Sequence, residues 1–343
     1  MKEFGSDFHY FESYFSKRAS LCRVYKNAVY FAFGRQPVIA LIRQNRWKRI
    51  WLPEYFCYDV IESITKATKI ETLFYKDYPG SDDETSIKDI PFEEGDVLFR
   101  VNYFGSRGRR SNKGIPVPVI EDHSHDLLGH WSLFSDADWC IASLRKSLPI
   151  AEGGLLWSPK NYQLPDVEES SENNEQLAAE RWAGMVMKAD YLDGKNVEKN
   201  AFREKYLHSE DLIDTLQPCA ITTRDFTYIK QFDINAWYNA KKHNWSVLQE
   251  LQCLHFSILQ PEGKDCTPFS LILLANSKAE RDALHSHLIR NCVYPAILWQ
   301  YERTECEAAS DYSGRILSLH CDGRYTVDDI NELMGIISSC RYE

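Results

Sequence analysis

Apolar residues along the first half of this chain recur at two alternating spacings. Val38, Ile39, Leu41 and Ile42 fall at helical intervals just after Pro37, a residue suited to a first helical turn, and they predict a helix there. Short apolar runs predict strands at residues 49–52, 69–75, 96–101, 116–120 and 139–143, with a helix at 58–65. Strands and helices that alternate in this way predict an α/β domain with a mostly parallel sheet. In such sheets ligands bind beyond the carboxyl ends of the strands. After residue 216 the pattern changes to a helix (235–251), a strand (268–274), a helix (278–290) and a closing helix (327–339), which predicts a smaller α+β domain. The expected division is therefore 1–215 and 216–343. Two polar, acidic stretches, 80–96 and 165–176, read as solvated loops, and residues 175–192 read as a helix after the second.

Composition narrows the function classes. A chain of 343 residues with 44% hydrophobic positions can fill a large core and a smaller one. The net charge of −10 argues against a nucleic-acid-binding surface and leaves room for a local positive site. No apolar stretch approaches the length of a transmembrane helix, and the acidic, aromatic start lacks a signal-peptide core. The ten cysteines are scattered singly without a CxxC pair, so reduced thiols in a cytoplasm are expected, rather than a zinc ribbon or a disulfide framework.

Three short segments carry candidate chemistry. Glu121-Asp122-His123-Ser124-His125-Asp126 directly follows the apolar run 117–120. A carboxylate at a strand end can keep a pyridinium nitrogen protonated, and His125, three residues on, can reach a neighbouring phenolate oxygen. Two histidines at alternate positions also suit zinc, although no third ligand is indicated except His130. Ser143-Leu144-Arg145-Lys146, followed by Gly153-Gly154, places a lysine at the end of a second strand. Burial and neighbouring cations would let that amine condense with an aldehyde. The same four residues match the SxxK of penicillin-binding enzymes, but the SDN and KTG triplets of that family are missing. Gly34-Arg35 opens a helix whose backbone N–H groups could hold a phosphate. The basic run Arg107-Gly108-Arg109-Arg110 could grip a diphosphate or lie in a solvated loop.

Taken in order, these segments resemble the DegT/StrS family of pyridoxal-phosphate (PLP) sugar aminotransferases, which have the fold type I architecture. Phe33-Gly34-Arg35 is similar to that family's phosphate loop, and Leu52-Pro53-Glu54-Tyr55-Phe56-Cys57 to the segment that faces the cofactor ring. Asn102-Tyr103-Phe104-Gly105 resembles H/N-x-Y/F-G, and Ile120-Glu121-Asp122-His123-Ser124-His125 resembles I-E-D-A-A-Q/H. Lys146 with Gly153-Gly154 resembles the cofactor-lysine segment. Tyr294-Pro295 to Trp299, and LSLHCDGRY at 317–325, resemble the closing segments. The chain departs from the pattern in three places. Lys146 follows its serine by three positions where many members have five, Arg35 stands in place of a threonine, and Leu298 stands where a histidine commonly precedes Trp299.

The resemblance implies pyridoxal 5'-phosphate as cofactor, with Lys146 as its amine partner and proton shuttle and Asp122 at the pyridine nitrogen. It puts His125 by the ring hydroxyl, Ser143, Gly34 and Arg35 at the phosphate, and Cys57 at the stacking position, with Tyr55 or Phe56 close by. It implies transfer of an amino group from a donor such as glutamate to a keto acceptor, with a nucleotide-linked keto-sugar as a candidate, in a homodimer. The other readings are a non-catalytic relative that binds PLP or a sugar nucleotide, and a PLP-dependent sugar dehydratase. Lys146 counts against the dehydratase, because members that dehydrate carry histidine there.

Overall fold

The computed structural model describes residues 3–12, 14–15, 19–301 and 305–342. Seven strands form the main sheet: β1 (Val29–Phe31), β2 (Arg49–Pro53), β3 (Glu71–Tyr75), β4 (Asp96–Val101), β5 (Val119–Asp122), β6 (Trp139–Ser143) and β7 (Gly154–Trp157). Their order is β1-β7-β6-β5-β4-β2-β3. The run from β3 to β6 pairs parallel throughout, and β7 is antiparallel to both of its neighbours. A parallel sheet of this kind needs cover on both faces, and all six residues of β4 are buried.

Period-two alternation divides each strand between two cores. Ile50, Leu52, Phe99, Ile120 and Ile141 pack on one face with helices α1 (Gln36–Asn45) and α2 (Tyr58–Thr68). Leu98, Val119, Cys140, Ala142 and Leu155 pack on the other with Trp182, Met185, Phe202 and Tyr206. Those four come from helices α3 (Glu172–Leu192) and α4 (Lys199–Leu212). Helix α5 (Thr223–Gln231) and the first half of α6 (Ile234–Leu248) complete this second core through Ile229, Trp237 and Tyr238.

The C-terminal part builds an antiparallel sheet in the order β10-β9-β8 from β8 (Phe256–Ile258), β9 (Leu271–Ala275) and β10 (Ile316–Leu319). Helices α7 (Lys278–Arg290), α8 (Glu307–Arg315) and α9 (Val327–Ser338) lie with it. The start of α9 is fixed by a reciprocal cap between Thr326 and Asp329. No helix among the described residues is long and apolar enough to cross a membrane.

The α/β architecture expected from the sequence is present, with local differences. β5 runs on to Asp122, two residues past the expected end, which makes the Asp122 carboxylate the strand's last side chain. The acidic stretch 80–96 is not simply a solvated loop. Asp82 caps a helix at Asp83–Lys88, and Asp83 is fully buried, accepting from Arg100 at 2.7 and 3.0 Å and from Arg110 at 3.0 Å. Its cationic partners lie on distant segments, so the local run of charges looks like a surface.

Candidate active site

The site begins with two neighbouring strand ends. β5 and β6 are parallel, and Asp122 pairs with Ile141. Asp122 therefore faces the side of Ile120 and Ile141, while Glu121, paired with Cys140, faces the other core. Asp122 Oδ1 accepts from the Ser124 N–H at 2.8 Å and from its Oγ at 2.5 Å. Ser124 Oγ in turn accepts from the Ser143 N–H at 2.7 Å, and Ser147 Oγ donates to the Ser124 carbonyl at 2.8 Å. These bonds tie the end of β5 to the turn Leu144–Lys146 that follows β6. Asp122 Oδ2 has no hydrogen bond among the described residues.

His125 and Lys146 line one cavity of about 850 Å³. His125 is buried, and its Nδ1 accepts from the Phe104 N–H at 3.1 Å. In the neutral ring the proton therefore sits on Nε2, which is buried and has no partner. Burial, then the charges of Lys146 and Lys241, hold its pKa well below the usual histidine value. Phe269 lies 4.6 Å from the imidazole, and Trp299 stacks on it at 5.5 Å and 21°. Lys146 Nζ stands 5.0 Å from the centre of the Trp299 ring. Asn102 follows β4, and its N–H bonds the Asp122 carbonyl at 3.0 Å. Its side-chain amide is buried, with neither Oδ1 nor Nδ2 paired.

Glycines allow the chain to cross itself beside Ser143. A Cβ on Gly34 would lie 2.6 Å from the Ser143 Cβ, and one on Gly154 would lie 2.4 Å from the Phe33 carbonyl oxygen. Gly153 holds a φ of +143° and donates its N–H to the Ala32 carbonyl at 2.6 Å. The Phe33-Gly34 loop, the end of β6 and the start of β7 thus meet at one point.

The structure brings Asp122, His125, Ser143, Lys146 and Gly34 to this edge. Two other expected residues behave differently. Arg35 directs its guanidinium into an ion pair with Asp214. Cys57 stands at the N-cap of α2; like Asp122, Ser143 and Gly34 it is not part of the cavity wall that His125 and Lys146 line, and unlike Gly34 it is not at the crossing beside Ser143. Its neighbours Tyr55 and Phe56 instead pack on Trp299, and Tyr55 Oη donates to the Leu298 carbonyl and accepts from the Trp299 N–H. The basic run is also engaged. Arg107 is buried on Asp77, Arg110 pairs with Glu262 and Asp83, and Arg109 faces Asp136. The two histidines of the zinc alternative point to different surroundings. His123 Nε2 bonds Glu121 at 3.0 Å against Trp131 and Trp157, away from His125.

Sequence reasoning did not single out Asn102, Trp299, Arg181 or Glu210 as site residues. The first two lie in motifs whose spacing was visible. Arg181 and Glu210 reach the cavity from α3 and α4, where no motif marks them.

No protein-family model matches the chain, and no curated protein does. Solved structures do match. PseC of Helicobacter pylori, an aminotransferase involved in pseudoaminic acid biosynthesis, aligns over 98% of both chains with a TM-score of 0.62 at 11% identity. Spr1654 of Streptococcus pneumoniae, described as a sugar aminotransferase and solved in a PMP form, aligns over 95% of this chain and 92% of its own, with a TM-score of 0.63 at 10% identity. A DegT DnrJ EryC1 StrS aminotransferase of Brucella abortus aligns over 95% and 91%, with a TM-score of 0.58 at 12% identity. The fold is that of the sugar aminotransferases. In open α/β sheets a ligand sits past the carboxyl ends of the parallel strands, and Asp122 and Lys146 lie there.

Proposed function

We propose that this chain is a PLP-dependent aminotransferase that moves an amino group from an amino acid such as glutamate to a keto acceptor. The observation that carries the reading is that Asp122 ends β5 while Lys146 closes the turn after the adjacent parallel strand β6, with Ser124 bonding Asp122 and the residues Ser143 and Ser147 that flank this turn. A nucleotide-linked keto-sugar is the acceptor class we favour, because proteins of this fold include sugar aminotransferases. The same reading includes a homodimer and a cytoplasmic location, and all ten cysteines are free.

The residues present fit the cofactor. Asp122 Oδ2 is open, the buried Asn102 amide and His125 Nε2 lack partners, and the missing Cβ of Gly34 leaves its backbone against Ser143. When bound, the cofactor supplies an aldehyde that condenses with amines and a protonated ring that draws electrons. Asp122 keeps a proton on the ring nitrogen by its charge. His125, neutral with its proton on Nε2, donates to the ring oxygen without adding charge. The backbone at Gly34 and the hydroxyl of Ser143 receive the phosphate. Lys146 would supply the amine that holds the aldehyde, and its Nζ, beside the Trp299 face, would move the proton.

The test is the visible absorption of the purified protein with PLP, followed by borohydride reduction and peptide mapping. The label should fall on the peptide carrying Lys146, and an amino acid should convert the cofactor in a half-reaction. Lys146→Ala should abolish turnover. A label elsewhere, or full activity in that variant, would refute the proposal. A label on Lys146 without any half-reaction would favour a non-catalytic binder.

A further inference from the structure

One carboxylate in the cavity wall is held by two arginines. Arg145 donates from Nη1 to Glu210 Oε2 at 2.9 Å and from Nη2 to Oε1 at 3.1 Å. Arg181 donates from Nη1 to the same Oε2 at 2.9 Å and to Ser209 Oγ at 3.0 Å. The forked geometry matches a planar carboxylate. Arg145 comes directly before Lys146, and its guanidinium lies 5.3 Å over the buried Phe33 ring beside Gly34. All four residues, Arg145, Lys146, Arg181 and Glu210, line the same cavity.

The two sides of this cluster differ in exposure. The arginine side chains are 17% and 7% exposed, and each has a buried Nε with no partner. Glu210 is 50% exposed and stands in the last turn of α4. Burial opposes its ionisation, but Arg145, Arg181 and Arg35 outweigh that and pull its pKa down to about 2, so it is a full anion at neutral pH. Two fixed cations therefore enclose a site whose present anion is tethered to a surface helix turn. Exchanging one carboxylate for another keeps the charge constant. Glu210 can regain its solvation by turning outward, while the arginines stay paired.

We propose that Arg145 and Arg181 form the subsite for a substrate carboxylate, and that Glu210 is a built-in occupant displaced when the substrate arrives. The word substrate rests on the aminotransferase reading, whereas the exchange of one carboxylate for another does not. A donor amino acid seated on this clamp brings its carboxylate to the residue next to Lys146, within the cavity where the amine must react. Glu210 meanwhile offsets one of the clamp's two positive charges between turnovers and makes entry selective for anions strong enough to replace it.

The full-length protein can be titrated calorimetrically with glutarate, which has carboxylates and no amine, and in parallel with inorganic phosphate. Glu210→Gln removes the competing charge and keeps the side-chain shape. It should tighten glutarate binding by about tenfold or more, and adding Arg181→Gln should cancel the gain. In the unaltered chain, glutarate should speed amide exchange in the last turn of α4, a readout that needs no variant to fold. The proposal is overturned if Glu210→Gln leaves glutarate affinity within about twofold of the parent, or if the last turn exchanges no faster. An equal gain for phosphate would assign the clamp to a phosphate group and overturn the carboxylate assignment. The visible absorption of bound PLP, recorded on the same samples, reads the aminotransferase proposal separately. Loss of that signal with glutarate exchange intact refutes only the function, and the converse refutes only the clamp.

Discussion

Glu152 is fully enclosed just before the Gly153-Gly154 pair. Its Oε1 accepts from the Thr222 N–H at 2.5 Å, its Oε2 has no partner, and the Asn174 Oδ1 is likewise buried and unpaired. Burial, reinforced by the Asp225 charge, pushes its pKa up to about 8. A carboxyl that is harder to ionise in the folded chain than in the unfolded one costs no stability below the unfolded value. It then loses stability as pH climbs toward the folded value. The stretch from about pH 4.5 to 8 should therefore cost on the order of 4 kcal/mol. Glu152→Gln keeps the acceptor for Thr222 and supplies a donor, so it should raise the melting temperature by several degrees at pH 8 and change it little at pH 4.5. Equal shifts at both pH values would show that Glu152 is not the titrating group. Asn102 gives a second expectation. Its unpaired amide already carries a desolvation cost of about 1–3 kcal/mol, so Asn102→Ala should leave the cofactor-free melting temperature nearly unchanged. The same change should weaken PLP binding about tenfold or more in a fluorescence titration. At this scale the sequence was legible where chemistry is local: Asp122, His125 and Lys146 stand in compact motifs at strand ends. Glu152 with Asp225, and Arg181 with Glu210, are pairs joined only by folding, and neither member carries a mark of its own.

Among the elements, β4 and β6 have the bounds that their apolar runs imply, because turn residues and charges punctuate both ends. β7 escaped notice. Its four residues, GLLW, form too short a run to separate from a loop, and its reversed direction follows from the glycine crossing that precedes it. Helix α4 escaped for a different reason. Only Phe202, Tyr206 and Ser209 of its fourteen residues are buried, so its sequence shows hardly any apolar stripe. The glycine crossing is the element-scale feature most open to test. A methyl on Gly154 would press 2.4 Å from the Phe33 carbonyl oxygen, a backbone atom that cannot rotate away. Gly154→Ala should therefore cost about 2–4 kcal/mol by denaturant titration and also weaken phosphate-dependent binding, because the Phe33-Gly34 loop must move. Gly335→Ala is the control. A Cβ there meets nothing within 4 Å, inside helix α9, and the change should be neutral or stabilising by about 0.5–1 kcal/mol.

At the scale of the whole molecule, the chain's first described residues touch both the C-terminal core and the helices that cover the large sheet. Phe4 is buried in the C-terminal core, and Phe4–Gly5 pairs in parallel with Val293–Tyr294. The Gly5 N–H donates to Tyr325 Oη at 2.8 Å. Within a few residues the same segment binds the large-sheet side. Lys188 Nζ donates to the Asp7 carbonyl at 2.6 Å, Tyr206 Oη to the Phe8 carbonyl at 2.8 Å, and the Tyr10 N–H to the Met185 carbonyl at 3.0 Å. Glu3, Ser6, Asp7 and Phe8 also form part of the cavity wall, so this segment is one side of the candidate site. This coupling separates two variants. Phe4→Ala removes a core side chain and should cost about 3 kcal/mol while leaving the wall in place. A chain that starts at His9 loses the same ring together with the hydrogen bonds of Gly5, Asp7 and Phe8, and keeps that of Tyr10. It should be less stable again by about 1–3 kcal/mol, and it should bind glutarate more weakly because its cavity is open on that side. Denaturant midpoints rank the stabilities and calorimetry reads the binding. If the truncated chain matched Phe4→Ala in both, the segment would be only an anchor for one ring.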